Sequence, residues 1–343
     1  MTSVAVRMKD IATELGLSVV TVSKVLRNHP DISEETRKRV LKRMKELDYQ
    51  PNLAARSLIT GQSWSIGLVV PDLLHPFFAQ IAKAISAEIR TRNYCLLISS
   101  SDEDPRVEEQ EIRQLISRRV DVLLIASARS SPSSFKFLEG QEVPYILLDR
   151  LIEGLNANFI GVNDVEVGLI ATRHLIDQGC RHIAHIRGPE VSTAKGRLEG
   201  YRRALAEFKE GPLPEQVVSL GTSGDHRGEK GGYAAAMKLL QAKTRPDAIF
   251  CFNDPSALGA IRAITEAGLR IPEDIAVVGC GNLPYGDLLR VPLTTVDQGS
   301  EAIGKLSATL ALKLAGNKTR PAPKAQLITP QIVARASSLR KRS

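Results

Sequence analysis

From Ser65 onward, short apolar runs alternate with stretches of helical periodicity, and this alternation limits the folds that the chain can adopt. The apolar runs are residues 66–70, 96–98, 122–125, 145–148, 183–186, 248–251 and 275–278. A strand that is apolar throughout is buried on both faces, as in a parallel sheet with helices on each side. Because the series is too long for one sheet, the pattern predicts more than one doubly wound α/β unit.

The segment before this alternation, residues 8–26, has the pattern of two short helices around a tight turn. Apolar residues share one face of each predicted helix: Ile11, Ala12 and Leu15 on the first, and Val22, Val25 and Leu26 on the second. Gly16 can adopt the left-handed conformation that ends a helix, and Ser18 can cap the next helix by accepting a backbone N–H near Thr21. The pattern predicts a helix-turn-helix unit.

A third helix is predicted to start after Ser33, which can cap it, with two acidic residues in its first turn. Its predicted buried stripe consists of Val40, Leu41, Met44 and Leu47. An ordinary three-helix domain would have the same pattern. The outward face of the second helix nevertheless offers side chains of a size that fits a DNA groove: Ser18, Val19, Val20, Thr21, Ser23 and Lys24.

Six short motifs between residues 10 and 58 have the spacing of a known family. They are Asp10-Ile-Ala, Gly16-x-Ser18, Thr21-Val-Ser23-Lys-Val25, Thr36-Arg37, Tyr49-x-Pro51-Asn52 and Ala55-Arg56-x-Leu58. With these motifs, and over nearly its whole length, the chain resembles the lactose/galactose repressor (LacI/GalR) family of bacterial transcriptional regulators. The resemblance implies an all-α helix-turn-helix head and a hinge helix, followed by a two-lobed α/β core like that of periplasmic sugar-binding proteins, with parallel doubly wound sheets.

The resemblance also implies a division of the chain. Residues 1–50 would form the DNA-binding domain and residues 51–61 the hinge helix and linker. The first lobe would comprise residues 62–161 with 293–322, and the second lobe residues 162–292 with 323–339. Three crossovers near residues 161, 292 and 323 would join the lobes, and a ligand would lie between them at the carboxyl ends of the strands.

The DNA-reading roles follow from side-chain chemistry and from the resemblance. Val19 and Val20 can offer only apolar contacts, most naturally to thymine methyl groups, whereas Lys24 could reach guanine acceptors. Arg27, Asn28 and Arg37 are expected to hold phosphates and fix the register. In the hinge, the resemblance implies DNA contacts from Asn52, Ala55, Arg56 and Leu58, with the leucine inserted between base steps; the alternative is a linker with an apolar anchor.

Several residues at predicted strand ends match the effector cleft of the family. Phe77 and Phe78 would form an aromatic wall, or they are plain core. Asp149, Asn253 and Asp254 could bind hydroxyl groups, although each of them could instead cap the helix that follows. The resemblance places an effector-binding arginine at Arg197, for which a salt bridge is the alternative.

The chain departs from the family pattern at three places. Gly281 stands where most relatives have an acid, so Asn282 would have to replace that contact, or the effector lacks the group that the acid recognises. The loop of residues 224–233 is one residue longer than usual, which leaves the roles of His226 and Arg227 open. Arg7 stands where relatives commonly have a capping threonine, so the first helix would have another cap or a frayed start.

Charge is distributed unevenly along a chain whose net charge is +8. Residues 1–61 contain 11 lysines and arginines against 7 acids, and four arginines and lysines lie in residues 335–342, whereas the remainder is balanced. Basic character thus belongs to the predicted DNA-binding end and to the tail. The tail has no heptad pattern, so we expect a homodimer rather than a tetramer.

These observations and the resemblance predict a ligand-responsive regulator, a repressor, that binds a pseudo-palindromic operator in double-stranded DNA. Its expected effector is a small molecule, a sugar or a related metabolite, in the cleft between the lobes. An enzyme is the competing class, but the sequence has no phosphate-binding loop, complete dinucleotide motif or nucleophile elbow. We therefore expect no catalytic residue, metal site or cofactor, and the four cysteines fit neither a metal cluster nor a disulfide framework. The absence of a long apolar run and a signal-peptide core predicts a cytoplasmic protein without membrane contact, which argues against a sugar-transport component.

Overall fold

The computed structural model describes residues 6–26, 29–49, 57, 61–221, 228–317 and 322–340. The chain divides into two compact units, Met1–Ser63 and Trp64–Ser343. No helix in these described ranges is long and apolar enough to cross a membrane.

The described part of the first unit contains the helices α1 (Met8–Leu15), α2 (Val19–Leu26) and α3 (Glu34–Glu46). Its core consists of Ile11, Ala12, Val22, Val25, Val40 and Met44. Gly16 ends α1 with φ 64°, and Ser18 accepts a hydrogen bond from the N–H of Thr21 at 3.0 Å, as the sequence predicted. Ser33 likewise caps α3 through the N–H of Thr36 at 3.3 Å. The prediction for Leu41 was wrong: it is 49% exposed, because it lies beside the buried stripe rather than on it.

The second unit is built from two sheets with helices on both faces. Its strands are β1 (Ser65–Val70), β2 (Cys95–Ser100), β3 (Val122–Ile125), β4 (Tyr145–Leu148), β5 (Asn158–Val162), β6 (Ile183–Arg187), β7 (Gln216–Ser219), β8 (Ala248–Cys251), β9 (Ala276–Cys280), β10 (Thr294–Asp297), β11 (Ala325–Ile328) and β12 (Gln331–Val333). Its helices are α4 (Pro76–Arg90), α5 (Pro105–Ser117), the 3-10 helix Pro132–Leu138, α6 (Asp164–Asp177), α7 (Ser192–Ala206), α8 (Glu229–Leu240), α9 (Asp254–Glu266) and α10 (Ser300–Gly316).

Each sheet has six strands. The order is β11-β5-β4-β3-β1-β2 in the first and β12-β10-β9-β8-β6-β7 in the second. All pairings are parallel except that of β10 with β12. The α-helical head followed by a two-lobed, mostly parallel α/β core confirms the fold class predicted from the sequence.

The crossovers predicted near residues 292 and 323 lie further along the chain in the structure. β10 pairs with β9, so residues 294–297 belong to the second sheet rather than to the first lobe. β11 pairs with β5, so residues 325–328 belong to the first sheet rather than to the second lobe. The chain therefore changes lobe after residues 162, 297 and 328. Both strands are only four residues long, and their membership is decided by the neighbours with which they pair, not by their own pattern.

Close helix contacts in the second lobe depend on glycine. A Cβ atom at Gly200 of α7 would stand 2.0 Å from the carbonyl oxygen of Val165 in α6. A Cβ atom at Gly259 of α9 would stand 1.9 Å from the carbonyl oxygen of Glu229 in α8. Such distances leave no room for a side chain. The close packing fixes the helix starts on the second lobe, where several cleft residues lie.

Candidate functional site

A cavity of about 360 Å³ lies between the two lobes. Its lining comes from residues that follow strands or begin helices in both lobes: Pro71, Asp72, Leu74, His75, Phe77, Phe78, Asp102, Glu103, Asp149, Arg150, Pro189, Thr193, Arg197, Gly228, Phe252, Asn253, Pro255, Cys280 and Gln298. The carboxyl ends of parallel strands are where open α/β sheets bind ligands. Five of the seven predicted effector residues are in this lining: Phe77, Phe78, Asp149, Arg197 and Asn253.

Three phenylalanines contribute aromatic surface to the cavity. The rings of Phe77 and Phe78, in the first turn of α4, lie 5.2 Å apart at an angle of 72°. Both are almost fully buried and belong to the core of the first lobe, so they serve the core and the cavity wall together. Phe252, after β8, lines the cavity from the second lobe and was missed because it ends an ordinary apolar run.

Asp149 provides a buried carboxylate at the end of β4. Its backbone is left-handed, with φ 60°, and its N–H donates to the carbonyl oxygen of Ile160 at 2.9 Å. Oδ1 accepts a long hydrogen bond of 3.4 Å from the side-chain amide of Gln298. Burial raises the pKa of Asp149, while Arg197 and Arg150 lower it. Among the described residues, this weak hydrogen bond is the only one that the carboxylate accepts.

Arg197 projects from α7 and is already bound on two sides. Nε donates to Asp164 Oδ1 at 3.0 Å, and Nη1 donates to the carbonyl oxygen of Phe252 at 2.6 Å. The guanidinium also stacks over the ring of Phe252 at 4.8 Å from its centroid. Burial raises the pKa of Asp164 to about 7, with Arg197 opposing this shift and Asp149 adding to it. The salt bridge that the sequence left as an alternative is present, but it is buried rather than on the surface.

A second buried arginine, Arg150, directly follows Asp149. It binds Glu103 bidentately, at 2.7 and 2.5 Å, and donates to the carbonyl oxygen of Ser127 at 3.1 Å. Neither Arg150 nor Glu103 was predicted from the sequence to line the cleft. The run Leu147-Leu-Asp-Arg150 placed two charges at a strand end, which was a usable signal for the arginine, whereas Glu103 is 47 residues away in the chain.

Asn253 and Asp254 have different roles although they are adjacent. Asn253 lines the cavity and caps α9, because its Oδ1 accepts the N–H of Ser256 at 2.9 Å. Asp254 is absent from the lining: its carboxylate accepts the N–H of Leu283 at 2.8 Å and the hydroxyl of Thr295 at 2.6 Å. Burial raises its pKa to about 6. Both oxygens of Asp254 accept hydrogen bonds within the second lobe. The residue therefore stabilises that lobe and does not face the cavity.

The segment Gly279-Cys-Gly281-Asn282 is shaped by this same carboxylate. A Cβ atom at Gly279 would stand 2.1 Å from Oδ1 of Asp254, and a Cβ atom at Gly281 would stand 3.6 Å from Oδ2. Asn282, predicted to bind the effector, is also absent from the lining. Its amide instead donates to Asp297 at 3.0 Å and accepts from Arg335 at 2.9 Å, so Asn282 does not replace the missing acid of the cleft.

The first unit presents the predicted DNA-reading face on α2. Val19 and Val20 are 43% and 62% exposed. Ser18 and Thr21 are hydrogen-bonded to each other through their hydroxyls at 2.8 Å. Lys24 donates to Asp31 Oδ2 at 2.5 Å, so the cation expected to meet guanine is paired. Ser23 lies on the same helix and is partly exposed.

The remaining predicted DNA contacts are placed as follows. Arg37 is partly buried and donates to the carbonyl oxygen of His29 at 2.9 Å. Arg7 precedes α1, which has another cap: Asp10 accepts the N–H of Arg7 at 2.7 Å. The predictions for the other residues, and the possible roles left open in the long loop, lie outside the described residues: Arg27, Asn28, Asn52, Ala55, Arg56, Leu58, His226 and Arg227.

Comparison with known proteins gives two family matches. Residues 7–52 match the bacterial regulatory proteins of the lacI family, and residues 172–338 match the periplasmic binding protein-like domain. The HTH-type transcriptional repressor PurR of Proteus mirabilis is 34% identical over 333 residues, which are 96% of each chain. The ribose operon repressor of Halalkalibacterium halodurans is 33% identical over 307 residues, which are 89% of each chain.

Solved structures resemble the chain over most or nearly all of its length. A lac repressor dimer bound to operator and the anti-inducer ONPF has a TM-score of 0.85 and 28% identity, covering 98% of this chain and 100% of that chain. A LacI family regulator from Enterococcus faecalis V583 with bound ribose has a TM-score of 0.70 and 29% identity, covering 80% of this chain and 98% of that chain.

Proposed function

The chain belongs to the lacI family of bacterial regulatory proteins, and we propose that it represses transcription by binding a pseudo-palindromic operator as a homodimer under the control of a small molecule. The observation that carries the proposal is the combination of two features in one chain. One unit exposes a helix-turn-helix face, and the other contains a polar, partly aromatic cavity between two lobes. A solved relative with bound operator and another with bound ribose support the same assignment.

On the DNA side, Val19 and Val20 read the major groove through apolar contacts, most naturally with thymine methyl groups. Their exposure on α2 supports this role, because it leaves both apolar side chains available for contact with a partner molecule. Lys24 leaves Asp31 to reach a guanine or a phosphate. Residues 51–61, most of which lie outside the described residues, act as the hinge, with Leu58 as the minor-groove wedge.

In the cleft, the effector is an uncharged molecule that carries hydroxyl groups. Asp149 offers it an acceptor that has one weak hydrogen bond to the residues that the structure describes, and the three phenylalanines offer an apolar surface. Both arginines of the lining are already paired with carboxylates, which leaves them poorly placed to capture an anion. The protein acts in the cytoplasm, where operator DNA is found, and it regulates rather than catalyses.

The test begins with selection of binding sites by the full chain from a random DNA pool. We expect a site with two half-sites related by a two-fold axis, occupied by two chains. Affinity should fall steeply with salt, because bound lysines and arginines release counterions from phosphates. Absence of any sequence preference, or turnover of a metabolite in the same preparation, would overturn the proposal.

The effector is sought by a thermal-shift screen of sugars and nucleosides, since a ligand that binds only the folded cleft raises Tm. A ligand found in this way must change operator affinity. Linkage requires that the operator change ligand affinity by the same factor. A ligand that binds without any effect on operator affinity would contradict its role as effector.

A further inference from the structure

His75 lies at the cleft, directly before α4, and its ring is not used to cap that helix. The ring lines the cavity and packs against Phe78 and Phe77, with centroid distances of 5.5 and 6.4 Å. The imidazole makes no hydrogen bond to the backbone N–H groups of the first turn of α4. The ring is therefore placed for contact with the opposite lobe and with the cavity.

One ring nitrogen of His75 contacts the second lobe. Nε2 lies 3.2 Å from the side-chain nitrogen of Asn253. The orientation of that amide is fixed, because its oxygen accepts the N–H of Ser256 at 2.9 Å as the cap of α9. The amide nitrogen, which can only donate, therefore faces Nε2, and Nε2 must accept. The hydrogen bond joins residues 178 positions apart in the chain and links the two lobes across the cleft.

The acceptor role of Nε2 fixes where the proton of a neutral imidazole resides. The other nitrogen, Nδ1, must carry it and is therefore a donor. Nδ1 is buried and has no hydrogen-bond partner among the residues that the structure describes. A buried donor without a partner costs free energy that a suitable ligand atom would recover. The hydroxyl of Thr193, in the same lining, is buried and likewise has no partner within the described ranges.

The surroundings keep the imidazole neutral. Burial and the positive charges of Arg150 and Arg197 together lower the pKa of His75 to about 4, and Glu103 opposes this shift. A neutral ring is required for the bond to Asn253, since a protonated imidazole has no acceptor. The cleft therefore faces the ligand with a neutral donor on the first lobe and with the Asp149 carboxylate as acceptor.

We propose that His75 is a specificity-determining residue of the cleft, whose Nδ1–H binds an acceptor atom of the effector while Nε2 holds Asn253 of the opposite lobe. The effector must therefore carry a hydroxyl, carbonyl or ring-nitrogen acceptor on the side that faces His75, and a donor on the side that faces Asp149. The inference rests on the proposed function in one respect, namely that the cleft is the effector site.

The tautomer is tested first, by long-range proton–nitrogen NMR of the full chain labelled with ¹⁵N-histidine, without ligand or DNA. The His75 signals are identified by their loss in His75→Gln, and His182→Gln, which alters an exposed histidine, serves as the control. We expect a neutral ring with the proton on Nδ1 throughout pH 6 to 8. A proton on Nε2, or a ring that is charged at pH 6, would overturn the proposal.

Asn253→Asp tests the bond between the lobes. Aspartate keeps an oxygen to cap α9 but turns a second oxygen, in place of the donor, toward Nε2. We expect the His75 spectrum to change to the protonated ring or to the Nε2–H tautomer, while the melting temperature shows that the chain still folds. An unchanged His75 spectrum in a folded variant would show that the bond does not exist.

Ligand reading is tested with D-ribose as the probe. We expect saturation with D-ribose to shift the Nδ1 resonance of His75, and His75→Gln to weaken binding by at least 10-fold, whereas His182→Gln changes it by less than 2-fold. Equal affinity of wild type and His75→Gln for D-ribose would show that His75 does not bind the ligand, and would overturn the proposal. Because the tautomer is recorded without DNA, this failure is separate from a failure of operator binding.

Discussion

Gly279 lies against the carboxylate of Asp254, and this contact explains why the strand end of β9 carries glycine. A Cβ atom there would stand 2.1 Å from Oδ1 of Asp254, which is itself held by two hydrogen bonds. We expect Gly279→Ala to lower the free energy of unfolding by about 1–3 kcal/mol, as overpacking of a core does. Urea unfolding measures the loss.

The matched control is Gly316→Ala at the end of α10. Among the described residues, no atom beyond its chain neighbours and its own helix backbone lies within 4 Å of a Cβ built there, and the backbone is not left-handed. Alanine in a helix is favoured over glycine by up to about 1 kcal/mol, so this variant should be neutral or slightly more stable. If both variants lose the same stability, the contact with Asp254 is not the cause.

The protonation of Asp164, the partner of Arg197, makes the free energy of unfolding depend on pH. Its pKa, ordinarily 3.8, is raised to about 7 by burial, with Arg197 opposing the shift. Between about pH 4 and 7 the folded chain therefore binds a proton that the unfolded chain has released, so this group's contribution to stability is lost as pH rises through 7. Asp164→Asn cannot titrate, and the unfolding free energy of this variant should decline less from pH 5 to pH 8.

The pH experiment follows the fluorescence of Trp64, the single tryptophan, during urea unfolding at each pH. Its ring packs on Tyr94 at 5.3 Å between centroids and reports on the second unit. Asp177→Asn, at an exposed helix end, is the control. Parallel pH profiles for wild type and Asp164→Asn would contradict the shift.

At the scale of the element, α2 carries a cation that is not free in the absence of DNA. Lys24 pairs with Asp31, and both side chains are about one-third to one-half exposed. Exposed ion pairs contribute about 0–1 kcal/mol, so DNA can displace Asp31 at little cost. We expect Asp31→Asn to tighten operator binding by roughly 2- to 5-fold and to leave the melting temperature nearly unchanged.

Fluorescence anisotropy with a labelled operator measures this change. Glu207→Gln is the control, because it also removes one negative charge and an exposed ion pair, that with Arg173, but in the second unit. A gain of equal size in both variants would mean that net charge alone is responsible. No gain in Asp31→Asn would show that Lys24 does not contact the operator.

The elements show what a sequence can and cannot predict. The turn at Gly16 and the caps at Ser18 and Ser33 were predicted because their chemistry involves only neighbouring residues. Membership of β10 and β11 was mispredicted because it depends on distant strands. His75 was not predicted as a cleft residue for the same reason, because its hydrogen-bond partner Asn253 lies 178 residues away.

At the scale of the whole molecule, charge is divided between two tasks. The chain has a net charge of +8, yet the charged residues that line the cavity are four acids and two arginines: Asp72, Asp102, Glu103, Asp149, Arg150 and Arg197. Nucleic acid therefore meets a positive electrostatic potential, whereas the effector meets a negative one. The separation favours an effector without a phosphate group.

This separation predicts that phosphate esters bind poorly. D-ribose and inosine are each compared with their 5-phosphates by calorimetry, and we expect each phosphate to bind at least 10-fold more weakly. A buried phosphate needs cationic partners, and Arg150 and Arg197 are already held by Glu103 and Asp164. Glu103→Gln removes the carboxylate that pairs with the Arg150 guanidinium, so it should reduce the difference in affinity between each compound and its 5-phosphate. Glu207→Gln should leave this difference unchanged. Tighter binding of a 5-phosphate by the wild type would show that these ion pairs open for ligand and that the cleft selects anions.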